Sequence, residues 1–203
     1  SKNRPFLISF CQIPRGDRSF ATLSQFLPPF SHQETIMNAI PALVRPRFAS
    51  DLEPHVALWA TRLSISFHGA CRTLNNGMNS EELRQIIGIT PLSGLIPQDS
   101  LAPLLRTRAE ELVRLQPRRK NTLRRNTAML GKLLDLSPLQ IDIVTFFAMT
   151  QQHPYLHEVF ENTRVSTYDQ LIHTLVVALK ARETDIRKAM TRDSILRQTR
   201  LVT

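Results

Sequence analysis

The sequence predicts an all-α protein, a multi-helix bundle with helix-turn-helix-like units and an irregular N-terminal arm. Three observations predict it. Apolar residues recur at intervals of three and four over much of the chain, as on one face of an α-helix. Cap signals precede several of those runs: a Ser followed three residues later by Glu or Gln, with Pro in the first turn. No stretch shows the sustained period-two alternation of a half-buried strand.

Residues 1–30 carry Pro5, Pro14, Pro28 and Pro29 among scattered Phe residues with no period, and read as the arm. Helical signals begin at Ser31, where Ser31 and Glu34 form a capping box ahead of Ile36 and Ile40, and Pro41 and Pro46 limit that run. Ser50 and Glu53 predict a second box. Val56, Trp59, Leu63 and Phe67 then mark one helical face, which Gly69 and the Asn75-Asn76-Gly77 turn close. A short helix from Ser80 has Leu83, Ile86 and Ile87 as its apolar edge and Gly88 as its stop. Residues 88–99, with Gly88, Pro91, Gly94 and Pro97, are either a hinge between domains or a structured loop.

The second half is more regular. Leu101, Leu104, Leu105, Leu112 and Leu115 predict a helix broken by Pro117, followed by a basic helix from Arg118 to Leu134 with Leu123, Met129, Leu130, Leu133 and Leu134 as apolar positions. Ser137, Pro138 and Gln140 then supply cap, first-turn proline and box partner for a helix through Thr150. That helix is apolar on more than one side, which predicts a central, buried position. Ser166 and Asp169 cap the next, with Leu171, Ile172, Leu175, Val176 and Leu179, and a short helix follows from Glu183 to Met190. Leu133, Leu136 and Ile143 recur as Val176, Leu179 and Ile186 after a shift of 43 residues, suggesting two helix-turn-helix units. The expected organisation is the arm over 1–30, an N-terminal helical subdomain over 31–90 and a C-terminal one over 91–203.

At 42% hydrophobic and 21% charged residues, the chain has the balance of a folded globular protein and not of a disordered one. Its net charge of +9 favours acidic partners. Two cysteines at no metal-binding spacing, without a secretory signature, make a reducing cytoplasm the expected location. No segment approaches the roughly 18 apolar residues of a membrane span.

No active site is legible. Gly131-Lys132 lacks both the upstream Gly and the following Ser or Thr of a phosphate-binding loop, because Asn126 and Leu133 stand there. His153 and His157 are four apart, but Pro154 separates them and no zinc signature is completed, so a metal is not expected. There is no Gly-x-Ser-x-Gly elbow, and neither cysteine has a nearby His partner in sequence. The helix opening at Pro138 is too apolar to read base edges in the manner of a DNA-recognition helix.

The one strong electrostatic feature is basic. Arg106, Arg108, Arg114, Arg118, Arg119, Lys120, Arg124, Arg125 and Lys132 face only Glu110 and Glu111 over that stretch, a local balance of +7. Arginine suits bidentate contact with phosphate or carboxylate. These nine are therefore the candidate contacts for nucleic acid or for an acidic protein partner, against the simpler alternative of a solvated helix face. Aromatic residues that would stack bases are absent from the stretch.

The stretches "LGKLLDLSPLQIDIVTFFAMTQQHPYLHEVF", "STYDQLIHTLVVALKARETDIRKAM" and "DSILRQTRLV" resemble the helical region preceding the ATPase core of some bacterial AAA-type ATPases. Leu136-Ser137, His153-Pro154-x-Leu156, Ser194-x-Leu196 and Leu201-Val202 carry the resemblance, over residues 129–203, and Arg200 stands where a Gly is often found. The resemblance implies a homo-oligomeric, hexamer-forming ATPase parent whose ATP-binding loop, with ATP and magnesium, lies beyond Thr203. It transfers no catalytic or cofactor-binding residue to this chain. It implies a non-catalytic module that recognises a protein client or adaptor, or serves assembly. The alternative, from the charge alone, is a nucleic-acid-binding helical protein using residues 106–132.

Overall fold

The computed structural model describes residues 41–91, 95–115, 122–191 and 196. The expected arm, the Ser31–Glu34 box and the end of the chain lie outside the described residues. The chain divides into two units, Ser1–Ile36 and Met37–Thr203, and every described residue belongs to the second.

The order of elements is β1 (Ala42–Leu43), α1 (Glu53–Ser66), α2 (His68–Asn76), α3 (Ser80–Ile87), β2 (Ile89–Thr90), α4 (Gln98–Leu115), α5 (Thr122–Leu133), α6 (Pro138–Gln152), α7 (Pro154–Glu161), α8 (Tyr168–Leu179) and α9 (Glu183–Ala189). The all-α reading stands. The two strands are an addition, pairing antiparallel with Ala42 opposite Thr90 and Leu43 opposite Ile89. Two residues are too few to carry an alternating pattern.

The central helix is α1 and not, as expected, α6. It packs against α4, α2, α8 and α7, and Pro54 to Thr61, Leu63 and Ser64 are all buried. Ala57, Ala60, Thr61 and Ser64 are small enough to admit neighbours on every side. The two hydroxyls are satisfied internally: Thr61 donates to Ala57 O at 2.6 Å and Ser64 to Ala70 O at 3.3 Å. The start of α1 also differs from expectation. Leu52 is the N-cap without a side-chain hydrogen bond, and Glu53 instead accepts from the Ala49 amide at 2.5 Å. A lost cap costs about 1 kcal/mol, whereas burying one Leu contributes roughly 1.5–3 kcal/mol. With Val56, Leu58 and Leu63 in the core, tertiary burial decides where this helix forms.

Gly69 does not end that helix as expected. The break falls at Phe67, in extended conformation with φ −120°, and α2 continues through Gly69 to Asn76. Gly69 is needed because a Cβ there would overlap the backbone carbonyl oxygen of Asn162. Gly88 does close α3, in the left-handed region at φ 77°. The described part of the Gly- and Pro-rich stretch after it is a structured loop: Asn75 donates to Ile96 O at 2.8 Å and accepts from Ile96 N at 3.0 Å. Buried Arg84 braces the same corner, donating to Leu74 O, Pro91 O and Asn75 Oδ1.

Ser137 and Gln140 form the predicted capping box of α6. That of α8 is shifted by one residue: Thr167 is the N-cap, and Gln170 returns the bond. Trp59 of α1, Phe146 of α6 and Phe160 of α7 join the core edge-to-face, at 5.3 and 5.9 Å between ring centres. Arg62 donates to Ala178 O at 2.7 Å, placing a cation against the carbonyl end of α8.

Candidate functional site

The nine candidate cations do not share one environment. Arg118, Arg119, Lys120 and the side chain of Arg124 lie outside the described residues. Arg106 and Arg114 are exposed on α4, and Arg125 and Lys132 on α5. Arg108 is different, at only 3% exposed. One Nη2 donates to both Val44 O at 2.6 Å and Gly88 O at 3.0 Å, while Nη1 lies 2.8 Å from Glu111. It fastens α4 to the residue after β1 and to the C-cap of α3. Burial lowers its pKa and Glu111 opposes that shift. Arg108 is thus a structural cross-link whose charge is directed inward.

Gly131-Lys132 is not in a loop at all. It lies in the last turn of α5, where a Cβ on Gly131 would press on the side chain of Ile141 in α6. The glycine allows close helix–helix approach. Beyond it, Leu136 N bonds Gly131 O at 2.8 Å around Asp135 at φ 51°, which is a Schellman closure with Asp in place of the usual Gly.

His153 and His157 belong to different structural roles. His153 joins α6 to α7, with Nδ1 3.0 Å from the Tyr155 hydroxyl. The hydroxyl in turn donates to Glu53 at 3.4 Å. Burial, with Glu53 adding to it, raises the Tyr155 pKa well above the ordinary phenol value. His157 faces Glu161 at 3.2 Å. Among the described residues no group of three or more His, Cys, Asp or Glu is placed to hold a metal ion.

What the structure adds is a groove of about 580 Å³ between α1, α5 and α6. His55 and Trp59 contribute from α1, Ile141, Asp142 and Thr145 from α6, and α5 supplies Arg125, Thr127, Ala128, Met129 and Lys132. Of these, Arg125, Ala128, Met129 and Lys132 stand at positions i, i+3, i+4 and i+7 and form one stripe along the helix, while Thr127 is buried beside it. Met129 and Leu133, two of the apolar positions of the predicted helix, are 64% and 73% exposed. The reason is local: α5 packs chiefly on α6, and one neighbour covers one face. The basic cluster and Met129 were read separately from the sequence; their meeting on one groove was not, because its floor is Trp59, far away in sequence.

No protein-family model, no curated protein and no solved structure matches this chain.

Proposed function

We propose that the chain is a non-catalytic recognition module of an AAA-type ATPase, holding a protein client or adaptor while ATP is hydrolysed elsewhere in the parent protein. The resemblance over residues 129–203 supports the parentage. The observation that supports recognition is the outer face of α5, where Met129 and Leu133 are exposed beside Arg125 and Lys132. Exposed large apolar side chains grouped with cations are characteristic of a contact surface. In this reading ATP and magnesium belong to the ATPase core, and the hexamer is formed through it.

Two measurements test the reading. The gene read past Thr203 should encode a Gly-x4-Gly-Lys-Ser/Thr loop; an in-frame stop at that point overturns the parentage. A photo-crosslinking residue replacing Leu133 in the full-length protein should yield a nuclease-resistant protein adduct, whereas one replacing exposed Glu82 on α3 should not. An adduct removed by nuclease would favour the second reading, in which Arg106, Arg114, Arg125 and Lys132 contact nucleic acid.

A further inference from the structure

The groove beside α5 has more definition than an exposed apolar face. Its floor is rigid: Trp59, 7% exposed, is held edge-to-face by Phe146 at 5.3 Å and flanked by the His55 ring at 6.0 Å. Its α5 wall is adaptable, because Met129 is unbranched and exposed. Its charge is directional. Arg125 and Lys132 stand two turns apart on that wall, about 10 Å along the axis, and neither forms an ion pair with a described residue. The single carboxylate of the lining, Asp142, belongs to the opposite wall.

We infer that this groove receives one acidic amphipathic helix of a partner protein. Its apolar side chains seat between Trp59, Met129 and Ile141, and its carboxylates meet Arg125 and Lys132. The inference rests on the recognition-module reading and specifies the partner's chemistry. A volume of about 580 Å³ falls in the roughly 300–1,000 Å³ range of sites that enclose small ligands or a few side chains. A stripe at i, i+3, i+4 and i+7 matches the period of a helix laid against it.

Charge separates this occupant from the others. The chain's own first unit, residues 1–36, carries Lys2, Arg4, Arg15 and Arg18 against Asp17 and Glu34, so it is basic and does not complement the wall. A second copy carries the same +9. Trp59, being buried, offers no open ring for a nucleic-acid base to stack on.

The test is selection from a phage-displayed library of random peptides of about 14 residues, four helical turns, against the full chain and against Arg125→Glu/Lys132→Glu. Both positions are exposed, so the variant should keep its helical circular dichroism and melting temperature. The wild type should enrich peptides with apolar residues at helical spacing flanked by Asp and Glu. The variant should enrich Lys and Arg there instead. Synthetic versions of the acidic peptides should bind the variant about tenfold more weakly, as expected for two exposed charge pairs. Met129→Asp should weaken binding of both peptide sets. Enrichment without charge bias, the same bias in both proteins, or no enrichment at all overturns the inference. If any of these occurs while the Leu133 adduct persists, the groove inference alone falls; loss of the adduct as well ends the module reading.

Discussion

In the α5–α6 unit the first helix ends at Leu133 and Asp135 takes φ 51°; in the α8–α9 unit it ends at Leu179 and Lys180 takes φ 54°. Each joint turns the chain with a left-handed residue that is not glycine. Each places a fully buried Ile, Ile143 or Ile186, on the helix that follows. The surfaces differ. On α8–α9 Arg187 lies 2.8 Å from both Asp169 and Glu183, and Arg182 lies 2.9 Å from Asp185. On α5 the cations have no described ion-pair partner and two large apolar side chains stand exposed. One joint thus serves two ends: a surface neutralised within itself, and a surface that still needs an opposite charge and an apolar cover.

Truncation should break the comparison most sharply. Leu175 of α8 is fully buried, so Leu175→Ala should lower unfolding free energy by about 2–5 kcal/mol in urea titration. Leu133→Ala, 73% exposed, should stay within about 0.5 kcal/mol. Similar losses at the two positions would mean that α5 is covered and its face is not available. A smaller effect tests what the units share. Replacing Asp135 or Lys180 by Gly removes a left-handed strain of about 1–2 kcal/mol, partly offset by the greater freedom of Gly in the unfolded chain. Each replacement should therefore stabilise by roughly 0.5–1 kcal/mol. A gain at one joint and a loss at the other would show that the turns are not equivalent.

The parts legible in the sequence are those fixed by neighbours along the chain. Ser137 reaches Gln140, Gly88 closes its own helix, and Ile143 and Ile186 lie at the predicted spacing. The parts that were not legible are set by distant segments. Arg108 looks like any other surface arginine until the carbonyls of Val44 and Gly88 converge on it. Gly69 looks like a helix stop until Asn162 lies across it. The basic stretch shows how many charges there are and not which way they point, so Arg108 is counted with Arg125 although one points inward and the other outward. The groove needed Trp59 to be set beside a helix more than sixty residues later in the chain.

The smallest expected effect concerns how the units end. The second helix of the first unit, α6, is C-capped by His153, whereas α9 is C-capped by Met190. Burial lowers the His153 pKa below its usual 6.5, with Glu53 partly opposing the shift. The folded state therefore takes up a proton less readily than the unfolded chain. Stability present above about pH 6.5 is lost as pH falls below it, because the unfolded state protonates first. Amide exchange at Tyr155 and Leu156 should accelerate between about pH 7 and about pH 5, after correction for the intrinsic rate, more than exchange at Ile186. His153→Gln should flatten that difference. If wild type and variant change in parallel, the pH response belongs to other groups and the α6–α7 joint is no more acid-sensitive than the end of α9.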